Sequence, residues 1–325
     1  MDSKLKKVST VSMSKAEWLA FRNNGIGGSD IATIMGLNKY KSAHQLFYEK
    51  VEQSTDDFDN INMFMGRYME DSIAELWSYW GGDVESMMAN FTAGTPVRKC
   101  RKQNAFIINP DFPHLFASVD RIINKGHNDK EGILEIKTIS GFASDMWIAG
   151  IPPQYIVQLQ QYLLVTGLEY GEMAILKDGR YPDVYLFERN EEIIASILEQ
   201  SQLFWSNVLK ARELLKQGLG FEHLEPEIDN TEAYAAFLND KYKATAEKAE
   251  PIDAIYEAGM EYMACNDAIN AINDDKQICA NRIKEHMRTA SLIDFGEKGK
   301  ITWNENAKGS RTFNVKLKQV HAVNA

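Results

Sequence analysis

Between residues 104 and 189 the order of apolar segments restricts the fold more than any other feature of the chain. NAFIIN, HLFASVDRII and GILEIKTI are rich in β-branched and aromatic residues and read as strands. PPQYIVQLQQYLLVTG follows, opened by Pro-Pro and closed by Gly, which are helix start and stop signals around a helical apolar pattern. GEMAILK and DVYLFER then return to strand character. Upstream, SKAE and SAHQ are capping-box helix starts, and the helix through MGRYMEDSIAELWSYW stops at Gly81 and Gly82. A long helix from about Glu191 to Gln217 closes the unit. Helices alternating with strands in this way give an α/β fold.

After FEHLEPEIDN the style changes to polar, charge-mixed helices between about Thr231 and Thr289. Two strand-like pieces, LIDFGEKGKITWN and RTFNVKL, follow and are joined by the turn NENAKGS into a terminal hairpin. A boundary is therefore expected near residue 225, giving units 1–225 and 226–325. At 325 residues and 44% hydrophobic, the chain has ample material for cores in both. No apolar run is long enough for a membrane span, and the N-terminus lacks a signal-peptide stretch, so a cytoplasmic location is expected. Cys100, Cys265 and Cys279 are far apart and read as free thiols. The six histidines, His44, His114, His127, His223, His286 and His321, show no metal-ligand spacing. A net charge of -10 excludes a protein that coats nucleic acid with its whole surface, but leaves room for a local basic channel.

The chemistry concentrates between Asp120 and Lys137. SVDRIINKGHNDKEGILEIKT reads as a hairpin whose strands carry Asp120 on one side and Glu135, Ile136 and Lys137 on the other. Glu135 and Lys137 share a strand face, and Asp120 on the paired strand can meet them. Two carboxylates beside a backbone carbonyl suit Mg²⁺, and a lysine there can position or deprotonate a water, or offset charge building on a phosphate. The same residues also fit a surface hairpin with a cross-strand ion pair. Tyr155 and Gln158 lie three apart on one face of the following helix, with Gln161 and Tyr162 nearby. Glu70 sits in MGRYMEDSIAEL on the face of Ile73 and Ala74.

GIGGSD, residues 25–30, raises a separate question, because three glycines ahead of a helix cost backbone entropy. Glycines allow close approach of a ligand, and a helix start offers unpaired N–H groups, so Gly28 and Ser29 can cradle a phosphate. A tight turn with Ser29 as a simple cap accounts for the same residues.

Arg22 with GIGGSD, Glu70 in GRYMED, FASVD, LEIKT and QYIVQLQQYLLVTG together resemble the lambda exonuclease and YqaJ-like viral recombinase nucleases, a branch of the PD-(D/E)xK superfamily, over residues 14 to 190. The resemblance implies a restriction-endonuclease-like core, with a central mixed β-sheet flanked by helices. It also implies that Asp120, Glu135 and the Ile136 carbonyl hold Mg²⁺, with Mn²⁺ able to substitute. Lys137 is then the catalytic lysine, Gln158 orients the attacking water, and Glu70 lies near the metals. Arg22 and Ser29 then hold a 5′ phosphate, beside the Gly28 cradle, and Tyr155 is the accompanying tyrosine. Val119 departs from the proline common in that motif. The activity implied is 5′-to-3′ exonuclease action on duplex DNA in a phage or prophage setting. A single-strand annealing protein as partner and a ring-shaped trimer are implied with it. A structure-specific or internal endonuclease shares the metal site, and a non-catalytic DNA-binding adaptor shares the fold.

Overall fold

A computed structural model describes residues 4–54, 59–125, 127–139, 147, 150–245, 248–306 and 309–318. His321 and part of the turn NENAKGS lie outside them. The chain divides into two compact units, Met1–Lys243 and Ala244–Ala325.

The first unit begins with strand β1 (Lys6–Ser9) and helices α1 (Lys15–Asn23), α2 (Gly28–Ile34), α3 (Ala43–Glu52), α4 (Ile61–Ser78) and α5 (Val84–Ala93). Ser14 completes the expected capping box with Glu17 at the start of α1, and Ser42 accepts from Gln45 N–H at the start of α3. Strands β2 (Cys100–Lys102), β3 (Ala105–Ile108), β4 (Phe116–Ala117), β5 (Arg121–Ile123) and β6 (Gly132–Ile139) follow. Helix α6 (Pro153–Thr166) then crosses over to β7 (Tyr170–Lys177) and β8 (Tyr181–Glu188), and α7 (Glu191–Lys216) and α8 (Glu232–Lys241) complete the unit. The main sheet has the order β2-β5-β6-β7-β8. It is mixed, as expected: β6 and β7 run parallel across the α6 crossover, and the other neighbours are antiparallel.

HLFASVDRII, expected as one strand, is two. β4 joins a separate sheet of order β1-β3-β4, whereas β5 belongs to the main sheet, so the chain changes sheets across Ser118–Asp120. One sheet face packs its apolar residues against α6 and α7, with Ile133, Leu159, Leu163 and Ile197 at the centre. The other packs Leu134, Ile136 and Ala174 against Ile73 and Trp77 of α4. The first half of α4 leaves Met63, Phe64, Met65 and Tyr68 exposed.

The division at 243/244 replaces the boundary expected near residue 225. α8 packs on α3, where Tyr234 stacks on His44 at 4.2 Å between ring centroids and Lys241 lies 3.9 Å over the Tyr48 ring. The second unit holds α9 (Asp253–Met287) and the antiparallel strands β9 (Leu292–Asp294), β10 (Gly299–Glu305) and β11 (Arg311–Leu317). The first expected strand piece is thus two strands, because Gly296 and Gly299 take positive φ and turn the chain between them.

Candidate active site

The change of sheets places Asp120 at the head of β5, beside the middle of β6. β5 pairs with β6 only up to Leu134, and beyond that point Ile136 N–H donates to Asp120 Oδ2 at 2.8 Å. In an extended strand a residue's N–H and C=O leave on the same side, so the Ile136 carbonyl shares the edge that Asp120 occupies. Glu135 and Lys137 alternate with it and face α6. Glu135 Oε1 accepts from Lys137 Nζ at 2.7 Å and from Gln158 Nε2 at 2.8 Å, and Gln158 also donates to the Tyr162 hydroxyl at 3.0 Å. Lys137 lies 5.3 Å over the Tyr155 ring, which stacks on Trp147. Asp120, Glu135, Lys137, Tyr155 and Gln158 therefore meet where the sequence pattern brought them. Ile73 and Ala74 seat α4, leaving Glu70 half-buried, 4.0 Å from Arg121.

The electrostatics are those of two like charges held in a dry place. Burial, then the Asp120 charge, pushes the Glu135 carboxyl up to about 8, with Lys137 opposing. Burial likewise raises Asp120 against the pull of Lys137, and burial followed by Asp120 raises Glu70. Burial alone would lower Lys137, but Glu135 and Asp120 outweigh it and hold the ammonium well above its usual range. Glu135 Oε2 is buried without a hydrogen-bond partner among the described residues. Such an oxygen fits a cation, since an unpaired buried acceptor is costly and a divalent ion would satisfy it and neutralise both carboxylates. Among the described residues no group of three or more His, Cys, Asp or Glu stands in metal-binding geometry.

Beside this site lies a second polar group. Arg22 NH2 donates to Ser29 Oγ and to Asp30 Oδ1, each at 3.1 Å, and its guanidinium sits 4.9 Å over the Trp18 ring. Asp30 Oδ2 accepts from Lys50 Nζ at 2.9 Å and from Gly27 N–H at 3.0 Å. Burial would raise Asp30, but Lys50 and Arg22 outweigh it and keep the carboxylate far below its usual range. Arg22 and Ser29 thus meet as expected. Asp30 and Lys50, which orient the arginine from behind, were not singled out in the sequence. The signal for Lys50 was its place on the buried face of α3, four residues after Leu46 and three after Phe47.

The glycines of GIGGSD are packing residues. A Cβ on Gly28 would stand 2.4 Å from the Tyr162 ring and 2.9 Å from Gln158 Cγ, and one on Gly27 would stand 2.9 Å from the Phe116 ring. Gln161 Nε2 binds the Ile26 carbonyl at 2.9 Å and the Phe116 carbonyl at 3.2 Å, locking this turn against α6 and β4. Gly28 consequently lets α2 press against the very turn of α6 that carries Gln158. Burial and Glu135 raise the Tyr162 phenol while Arg22 lowers it, so both polar groups act on one hydroxyl. Gly28→Val is expected to destabilise the unit by about 1–3 kcal/mol through overpacking, seen as a lower thermal midpoint.

Residues 17–169 match the YqaJ-like viral recombinase domain. The YqaJ protein of Bacillus subtilis (strain 168) is 29% identical over 291 residues, covering 87% of this chain and 82% of its own. Two crystal structures of LHK-Exo, an alkaline exonuclease from Laribacter hongkongensis, one of them in complex with dAMP, have a TM-score of 0.48 at 21% and 20% identity. Each covers 62% of this chain and 96% of that one. A phage-related exonuclease from Haemophilus somnus 129PT gives 0.38 at 12% identity, over 60% of this chain and 96% of that one. The matched segment, residues 17–169, contains every residue of both polar groups. Among the described residues no helix is long and apolar enough to cross a membrane.

Proposed function

We propose that the protein is a Mg²⁺-dependent exonuclease that degrades duplex DNA from a 5′ end and leaves a 3′ single strand. The observation that carries this reading is the unpartnered, buried Glu135 Oε2 beside Asp120 and Lys137. Asp120, Glu135 and the Ile136 carbonyl would hold the ion. When bound, Mg²⁺ supplies Lewis-acid polarisation of the phosphate and lowers the pKa of a water. Gln158 fixes Glu135 and presents an amide near the position of the attacking water. Lys137, 2.7 Å from Glu135, would position or deprotonate the attacking water or offset charge building on the phosphate. A DNA-end exonuclease of the viral recombinase type would hand its 3′ strand to a single-strand annealing protein inside the bacterial host cell. A ring of three copies enclosing the duplex would keep it on the DNA.

The arginine group sets direction in this proposal. Arg22 and Ser29 would grip a terminal 5′ phosphate at a fixed distance from the carboxylates, which favours stepwise removal from an end. Linear duplexes with and without a 5′ phosphate, beside a closed circle, in Mg²⁺ and in EDTA, test it. The wild-type protein is expected to degrade the phosphorylated linear duplex faster and to leave the circle intact, with no cutting in EDTA. Arg22→Ala is expected to weaken end engagement by about 1.5–3 kcal/mol and to level the two linear substrates. Ready cutting of the circle without preference for a phosphorylated end would assign the protein to the endonucleases instead.

A further inference from the structure

Helix α9 is a single element of 35 residues, about 50 Å long, and from Asp253 to Cys279 every residue is exposed. Among the described residues of its own unit, contact is confined to its last turns, where Met287 is buried and Lys284 lies 5.1 Å over the Phe313 ring. An isolated polar helix of this length would carry scattered apolar residues. α9 instead carries a seven-residue repeat. Ile255, Tyr262, Ile269 and Ile283 recur at one seam position, and Ala258, Cys265, Ile272 and Cys279 at the other, three residues on. This is the a and d spacing of a coiled coil, with Lys276 as one polar a residue. Tyr256, Met260 and Met263 form a second exposed stripe, but it ends at Asp267 and Asn270.

Charge selects the occupant. Residues 253–275 carry six acidic side chains and no Lys or Arg, whereas residues 276–287 carry Lys276, Arg282 and Lys284 against Glu285 alone. Two copies side by side in the same direction would set acid against acid and Lys276 against Lys276. Reversing one copy sets the acidic half of each against the basic end of the other. The reversed seam also has a natural register. Tyr262 meets Cys279 of the second copy, Ile269 meets Ile272, and Lys276 meets Cys265, each layer occurring twice by symmetry. At the flanking position Glu261 then faces Arg282 of the second copy. We propose that α9 is a self-association helix that pairs antiparallel with α9 of a second copy, about a two-fold axis passing near Asn270 and Ala271.

The test uses the full chain, with light scattering on a size-exclusion column to count copies per particle. Ile269→Asp combined with Ile272→Asp is expected to halve that count, with helicity checked by circular dichroism. Glu261→Arg is expected to raise the dissociation constant roughly tenfold, since two attractive pairs become repulsive. Adding Arg282→Glu to it is expected to restore wild-type association, which a merely misfolded helix would not do. In Lys276→Cys, mild oxidation is expected to link Cys265 of one copy to position 276 of the other, identified by peptide mass. A copy number unchanged by the paired aspartates, no restoration by the charge swap, or cross-links joining Cys265 to Cys265 would each overturn the proposal.

Discussion

Glu135→Gln and Asp120→Asn are each expected to reduce phosphodiester cleavage by about 10³-fold or more, while the protein remains folded. Burial raises both carboxylates, and Asp120 and then Glu70 raise Glu135 further, so the metal-free site holds them at a cost. Replacing either by its amide removes that repulsion. Titration calorimetry with Mg²⁺ or Mn²⁺ should show lost or strongly weakened binding in both variants. Thermal unfolding in EDTA should show the variants at least as stable as the wild type, and adding Mg²⁺ should raise the midpoint of the wild type alone. Wild-type cutting and wild-type metal affinity in both variants would remove this site from consideration. The fold is expected to survive because neither side chain anchors the apolar packing. Asp120 makes one hydrogen bond to β6, and Glu135 rests on Lys137 and Gln158, which the amide can still accept from.

What was legible in the sequence was whatever a short-range pattern can encode. The two-residue spacing of Glu135 and Lys137 fixes a common face on any strand, and the three-residue spacing of Tyr155 and Gln158 fixes one on any helix. Arg22 and Ser29 are close enough in the chain for one loop to bring them together. Asp120 was legible as a site residue but not as a residue at a change of sheets, because FASVDRII alternates as one strand would. The break depends on β4 finding β3 rather than β5's neighbours, a contact outside any local window. Gly28 was read for its freedom of approach, whereas its reason is the Tyr162 ring, more than a hundred residues away. Likewise the boundary near residue 225 followed a shift in composition. The actual division follows α8, whose short polar helix is held to α3 by Tyr234 and Lys241. The seam of α9 was hidden for another reason: its acidic residues and asparagines dominate the composition, and the repeat emerges only once the helix is known to be continuous and uncovered.

Asp30→Ala is expected to destabilise the first unit by about 3–5 kcal/mol. Lys50 Nζ is buried, and Asp30 is its anionic partner there, the other contact being the Arg22 carbonyl at 2.7 Å. Removing the carboxylate leaves a buried ammonium without its counter-charge and frees the Arg22 guanidinium from the oxygen that orients it. For a unit of this size the loss corresponds to a fall in melting temperature of about 10 °C. The pH dependence has a defined sign. Asp30 has a folded pKa far below its unfolded value near 3.8, because Lys50 and Arg22 outweigh the burial that would raise it. Its contribution is therefore fully present above pH 4 and is lost as the pH falls below that value toward the folded pKa. The stability gap between wild type and Asp30→Ala should stay constant from pH 5 to 7 and close in stronger acid. Lys50 behaves oppositely: burial lowers its pKa, so the variant should recover stability at alkaline pH as the ammonium gives up its proton. Urea denaturation across this range measures both limbs. A gap below about 1 kcal/mol at neutral pH would mean that water reaches Lys50, and that the arginine group is held by Ser29 and Trp18 without a buried ion pair behind it.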